Sequence, residues 1–193
     1  MQVFHSLDTF SKLENAVVTI GSFDGVHIGH QQLLRKLCSV AQETYGNSVV
    51  VTFEPHPQEV LCKIPDFFTI LTQEEKIKLI ERENIDVLIL LPFTKTLAAL
   101  TSEQFVQEIL IDRIGTRTLI MGPDNHFGKD RSDFYTLQKF LLEKGITPIQ
   151  IEEYLLNDIA VRSTKIRQAI KQKNYHEAEL LLGHSTFYKQ DLH

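Results

Sequence analysis

Basic charge is what this sequence is short of. Its 25 Asp and Glu outnumber its 20 Lys and Arg, leaving a formal net charge of −5. A general nucleic-acid binder carries a basic excess, so no nucleic-acid partner is expected. A local basic pocket for a phosphorylated small molecule stays compatible with an acidic whole. Cysteine is scarce too. Cys38 and Cys62 form neither a Cys-x-x-Cys pair nor a Cys/His metal spacing. Cys38 falls in a helical pattern and Cys62 in a loop pattern, and two buried or idle thiols in a reducing cytoplasm fit them better than a disulfide. Long apolar runs are missing. Val87 to Leu91 is the longest, far short of the ~20 residues that a membrane-spanning helix needs. Met1-Gln-Val-Phe-His-Ser6 has no basic segment followed by an apolar one. The expectation is a cytoplasmic protein with no membrane partner.

What is present suits one sizeable α/β domain: 193 residues, 42% hydrophobic and 23% charged. Strand patterns run over Ala16–Phe23, Val49–Phe53, Asp86–Pro92, Arg117–Met121 and Thr147–Tyr154. Between them lie helical patterns. Gly29 to Tyr45 carries Leu33, Leu34, Leu37, Val40 and Ala41 on one stripe. Capping boxes at Thr72/Glu75 and Thr101/Gln104 open helices to about Glu83 and Arg113, the second stopped by Gly115. Ser132 or Asp133 caps a helix ending near Lys144-Gly145. Residues 58–71 read as irregular. The runs Glu74-Glu75-Lys76 and Glu81-Arg82-Glu83 read as solvated helix faces. The tail from Ser163 to Leu182 reads as two short helices, the first capped by Ser163 or Thr164 and the second followed by Gly183. Continuous apolar strands alternating with helices imply a Rossmann-like, doubly wound parallel sheet of about five strands, with helices on both faces and a C-terminal helical segment. No composition shift marks a linker, so residues 1–193 are taken as one domain. Ligands of such sheets sit beyond the carboxyl ends of the strands. The loops after Ala16–Phe23, Val49–Phe53 and Arg117–Met121 open there.

The first of those loops is Gly21-Ser-Phe-Asp-Gly-Val-His-Ile-Gly-His30. A strand ends at Gly21 and a helix begins at Gly29-His30, so free backbone N–H groups and the positive helix end converge, which suits a phosphate. His27 and His30 are three apart and share a face if both lie at the first turn. Each can donate to a phosphate oxygen. As half of a metal site the pair lacks a third ligand nearby in sequence. No Gly-Lys-Ser/Thr follows, and the glycine spacing is not Gly-x-Gly-x-x-Gly.

Val161-Arg-Ser-Thr-Lys-Ile-Arg167 opens a helix with Arg162, Lys165 and Arg167 near its N-terminal end. Cations there oppose the helix dipole, and a bound anion would relieve the conflict; a solvated basic turn is the alternative. Thr52-Phe-Glu-Pro-His-Pro57 is a proline-stiffened strand exit. Met121-Gly-Pro-Asp-Asn-His-Phe-Gly-Lys-Asp-Arg131 is punctuated like a surface turn, yet Phe127 could face a flat ring and Lys129 or Arg131 a phosphate.

The block from Gly21 to Gln31 resembles the first motif of the nucleotidylyltransferase superfamily, in the form found in prokaryotic FAD synthetases, the FMN adenylyltransferase module of bifunctional riboflavin kinase/FAD synthetases. Ser163, Thr164, Ile166 and Arg167 match that superfamily's Ile-Ser-Ser-Thr-x-Ile-Arg, with Arg162 in place of the first serine. Thr52 to Pro57 is similar to Thr-Phe-x-Pro-His-Pro. Gly122, Asp124, Phe127, Gly128 and Lys129 match Gly-x-Asp/Glu-x-x-Phe-Gly-Lys/Arg, while Pro123 and His126 depart from the commoner aromatic and Arg at those places. The resemblance implies AMP transfer from ATP to FMN, giving FAD and pyrophosphate. It implies Mg²⁺ carried with ATP and no metal cage built by the protein. It implies that His27, His30 and Arg167 are catalytic, and that Gly21, Ser22, Phe23, Asp24, Gly25, Ser163 and Thr164 bind ATP with them. It implies flavin contacts from Phe53, Pro55, His56, Pro57, Asp124, Asn125, Phe127, Gly128 and Lys129. In the bifunctional family, a Leu-Leu-Gly such as Leu181-Leu-Gly183 leads into a β-barrel riboflavin kinase module. Ten residues follow Gly183 here, so kinase activity is expected from another protein or from a missing domain. Another phosphorylated acceptor, or a flavin- or nucleotide-binding module without catalysis, are the alternative functions.

Overall fold

The computed structural model describes residues 1–61, 65–123, 125–157 and 159–185. Strands β1 (Gln2–Phe4), β2 (Ala16–Ile20), β3 (Asn47–Glu54), β4 (Val87–Pro92), β5 (Thr116–Met121) and β6 (Thr147–Gln150) form one sheet in the spatial order β1-β4-β3-β2-β5-β6. Every neighbouring pair is parallel. An antiparallel pair, β7 (Leu155–Leu156) and β8 (Ile159–Ala160), stands apart from it. The helices are α1 (Ile28–Glu43), α2 (Pro57–Leu61), α3 (Gln73–Glu81), α4 (Lys95–Ala98), α5 (Ser102–Phe105), α6 (Phe134–Glu143), α7 (Ser163–Lys171) and α8 (Tyr175–Leu182). A π-helical stretch, Val106–Ile114, continues α5.

Both faces of the sheet are buried, which explains the unbroken apolar strands. Side chains alternate between faces. Val17, Val50, Leu88 and Ile120 pack with Leu34 and Leu37 of α1, Ile166 of α7 and Leu182 of α8. Val18, Val49, Val51 and Leu119 pack on the other face with Val106, Leu110, Leu137 and Leu141. Each such fully buried side chain contributes about 1.5–3 kcal/mol.

The chain runs from β2 outward through β3 to β4, then returns to place β5 on the other side of β2. The strand order therefore reverses between β2 and β5, and a crevice opens past their carboxyl ends.

Several expectations change. The sheet has six strands because β1, three residues long, is too short to show a pattern and is recognisable only by its pairing with β4. β6 stops at Gln150 rather than Tyr154. Within residues 58–71, α2 makes one short helical piece. Both capping boxes are formed, and Asp133 rather than Ser132 caps α6. Neither Ser163 nor Thr164 caps α7: Arg162 holds the N-cap position without a side-chain cap bond, because the Ser163 hydroxyl donates elsewhere. Cys38 is a half-buried thiol whose Sγ–H donates to the Glu83 carbonyl at 3.2 Å; Cys62 lies outside the described residues.

Candidate active site

Between β2 and α1 the backbone turns through three left-handed conformations: Phe23 (φ 47°), Gly25 (φ 87°) and Val26 (φ 37°). For an aromatic and a β-branched residue each costs about 1–3 kcal/mol and persists only where the surroundings over-determine it. Those surroundings are visible. The buried Asp24 carboxylate accepts the Ile70 N–H at 2.8 Å and pairs with Arg167. Ser163 Oγ donates to the Asp24 carbonyl at 2.7 Å, Thr52 Oγ1 to the Ser22 carbonyl at 3.1 Å, and Gln31 Nε2 to the Val26 carbonyl at 2.9 Å. At Gly25 a side chain would also stand 3.1 Å from Leu182. The loop is thus clamped by β3, the 65–71 segment, α1 and α7.

The turn delivers His27 to the N-cap of α1 and His30 into its first turn. Their rings stack at 3.6 Å between centroids, 15° from parallel. His27 Nδ1 accepts the His30 backbone N–H at 3.3 Å, so in the neutral ring the proton sits on Nε2. Burial lowers the His27 pKa to about 4. Burial, then the neighbouring His27 and Lys76, holds His30 well below the usual histidine range. His30 Nδ1 is buried and has no hydrogen-bond partner among the described residues. The site therefore presents two neutral imidazoles, one with an unsatisfied nitrogen.

Both histidines line a cleft of about 480 Å³ at the sheet's carboxyl edge. Of the residues expected from sequence, Gly21, Ser22, Phe23, Phe53, His56, Pro57, Asn125, Phe127, Ser163 and Thr164 line it as well. Asp24, Gly25, Pro55, Gly128, Lys129 and Arg167 stand outside its wall, and Asp124 lies outside the described residues. The walls divide by sheet face. His27, His30, Tyr154 and Ser163 rise above the face covered by α1 and α7, whereas Phe53 and Phe127 belong to the opposite core.

Charge is buried behind the cleft. The Arg167 guanidinium pairs with Asp24, donates to the Phe68 carbonyl at 2.9 Å and lies 4.6 Å from the Phe67 ring centroid. Removing one partner of a buried pair costs about 3–5 kcal/mol. Arg162 differs. It lines the cleft and donates to Glu153 Oε1 at 2.6 Å and 3.1 Å, in an exposed pair of the kind worth about 0–1 kcal/mol. Lys76, read from sequence as part of a solvated face, is only 4% exposed. It sits one turn before Ile80 on the buried stripe of α3. Burial lowers its pKa, and Glu54, Asp24 and Glu59 oppose that. His56 is pushed down to about 4 by burial, then by Arg167 and Lys76, and its Nδ1 accepts the Gln58 N–H at 3.1 Å.

The loop after β5 is pinned to its neighbours. Asn125 Nδ2 donates to the Ile20 carbonyl at 2.6 Å, bridging the ends of β2 and β5. Asp130 accepts the Ser102 N–H and hydroxyl, each at 2.8 Å. Gly128 (φ 76°) lies so close that a Cβ would stand 2.3 Å from the Ser102 nitrogen. The Lys129 N–H donates to the Leu100 carbonyl at 2.8 Å. Phe127 packs 5.6 Å from Phe105, which neighbours Phe53 at 6.4 Å. Gly128 and Lys129 thus anchor the loop that carries Asn125 and Phe127 to the cleft. Ser102 and Glu153 were missed from sequence. Ser102 follows a capping threonine with nothing local to mark it, and Glu153 lies past the end of β6 within the strand pattern that runs to Tyr154.

A family model described as FAD synthetase matches residues 9–165. The chain belongs to the FAD synthetase family. Among its curated relatives, bifunctional riboflavin kinase/FMN adenylyltransferases, the Pseudomonas fluorescens protein is 38% identical, with 86% of this chain and 54% of that protein covered. The one from Buchnera aphidicola subsp. Acyrthosiphon pisum is 34% identical, covering 95% and 59%, and that of Escherichia coli K12 is 34% identical, covering 89% and 55%. The FAD synthetase-family chain thus spans somewhat over half the length of these relatives. A solved Streptococcus pneumoniae structure described as a macrolide-efflux protein superposes with a TM-score of 0.82 at 29% identity, covering 95% of this chain and 60% of that one. Pantothenate synthetase from Thermus thermophilus, at a TM-score of 0.53 and 14% identity over 93% of this chain and 74% of that one, shares the fold. Among the described residues no helix is long and apolar enough to cross a membrane.

Proposed function

We propose that this chain transfers the AMP moiety of ATP to FMN. A phosphate oxygen of FMN attacks the α-phosphorus, the bond to the bridging oxygen breaks, and FAD and pyrophosphate result. The observation that carries this reading is the stacked His27/His30 pair at the strand-to-helix turn, with His30 Nδ1 buried and lacking a partner among the described residues. Both rings line the cleft, where they would meet a phosphate oxygen. Negative charge beside the pair raises both pKa values, so the imidazoles become stronger donors as charge grows on the phosphoryl oxygens. Aimed donors in a dry site suffice for such a transfer without a covalent intermediate.

The two-sided cleft supports the substrate assignment. ATP lies over the face with α1 and the N-terminus of α7, where Ser163 and Thr164 meet phosphate. FMN lies towards Phe53, His56, Asn125 and Phe127, and its phosphate reaches the histidines at the β2 end. Mg²⁺ carried with the triphosphate would neutralise part of its charge. In this reading phosphate oxygens and water would supply most of its ligands. The test is chromatography of the flavin after incubation with FMN, ATP and Mg²⁺. FAD is expected, and its absence with folded protein refutes the reading.

A second reading keeps ATP and changes the acceptor. Pro123 and His126, both departures from the family's motif, line the cleft. ATP consumed with another phosphorylated acceptor, and no FAD formed from FMN, would favour it.

A further inference from the structure

We infer that Arg162, rather than Arg167, is the arginine that grips the triphosphate in this chain, and that Glu153 holds its place until the nucleotide arrives. The inference rests on the ATP site proposed above. Arg167 is spoken for. Its side chain is 15% exposed, tied to Asp24, to the Phe68 carbonyl and to the Phe67 ring, and absent from the cleft wall. Drawing it out would break the clamp that holds the strained turn before His27. Its role is positioning.

Arg162 stands nearer solvent, on the cleft wall itself. Its side chain is 48% exposed, it lines the cleft beside Ser163 and Thr164, and it occupies the N-cap of α7 without a cap bond from its side chain. A cation there opposes the helix dipole, and the Glu153 carboxylate, itself on the cleft wall, supplies negative charge at 2.6 Å. A phosphate supplies more charge and accepts the planar fork in two parallel bonds. Exchange of Glu153 for phosphate breaks an exposed pair and leaves the clamp on Asp24 intact.

The experiment is calorimetry of Mg·ATP binding to the full chain without flavin, together with FAD formation. Charge-assisted hydrogen bonds of this kind make Arg162→Ala weaken ATP binding by about ten- to a hundred-fold. Arg162→Lys recovers part of the loss, because a point charge replaces the fork. Glu153→Gln tightens ATP binding by up to about five-fold, as release of an exposed pair allows. In turnover, Arg162→Ala raises KM for ATP and leaves KM for FMN within about two-fold. Unchanged ATP affinity in Arg162→Ala overturns the inference while the functional reading stands. So does an Arg167→Lys protein with wild-type Tm that loses ATP affinity as Arg162→Ala is expected to. Wild-type protein that binds no ATP overturns both.

Discussion

Protonation of single residues governs how the site behaves before any ligand enters. His27 has a folded pKa of about 4 against 6.5 for the free group. Between those values the unfolded chain binds a proton that the folded chain refuses, so stability falls as pH drops from about 6.5 towards 4 and is insensitive to this group above that window. The loss due to His27 is about 2 kcal/mol at about pH 5. Urea denaturation of the ligand-free protein at neutral pH and near pH 5 checks it. The wild type is expected to lose stability, and His27→Gln to lose about 2 kcal/mol less. Saturating ATP is expected to shrink the loss, because phosphate favours the charged imidazole. The sequence made the pair itself legible through spacing and the flanking strand-to-helix turn. It could not show that both rings are neutral, since that depends on burial and on the bond from the His30 N–H. Lys76 was hidden for a related reason: it sits among charged neighbours in sequence, and only the packing of α3 buries it.

Elements position the wall proposed for flavin. The loop between β5 and α6 hangs on the start of α5, where the fully buried Ser102 hydroxyl lies between Asp130 at 2.8 Å and Ser132 at 2.9 Å. Ser102→Ala is expected to cost about 1–2 kcal/mol of stability. It is also expected to raise KM for FMN more than KM for ATP, because the displaced loop carries Asn125 and Phe127; steady-state kinetics with each substrate varied checks this. Gly128→Ala is expected to be harsher, about 2 kcal/mol or more in thermal unfolding, since a Cβ meets backbone there at a left-handed φ. Element type was largely legible. The Thr72/Glu75 and Thr101/Gln104 boxes announce their helices because each is a local hydrogen-bond pattern. What stayed illegible depends on distant partners. β1 exists through β4, Arg162 becomes an N-cap because Ser163 turns towards Asp24, and β6 ends where the sheet has no further partner for it.

Across the full fold, the sheet separates two walls of the cleft and joins them at one strand end. Each face has its own core, and the order reversal between β2 and β5 opens the cleft above both. In the proposed reading nucleotide and flavin occupy different walls, and they are then expected to stabilise the fold independently. A ligand at about a hundred times its Kd adds about 2.7 kcal/mol, or roughly 5–10 °C in Tm for a chain of this size. Thermal shift with ATP alone, FMN alone and both is expected to show each increment and nearly their sum. A single increment shared by the two would place them in one subsite. The parallel architecture was readable from alternating apolar strands and helices; the partition of the cleft was not, because Phe53, Phe105 and Phe127 converge from three separate segments. Everything proposed for this cleft hinges on the adenylyl group moving at the turn from Gly21 to His30. Single-turnover transfer from ATP labelled at the α-phosphorus decides it, comparing wild type with His30→Ala. Labelled FAD is expected from the wild type and, by loss of one aimed donor, a rate lower by about a hundred- to a thousand-fold in the variant at unchanged Tm. Equal rates in the two proteins would contradict it.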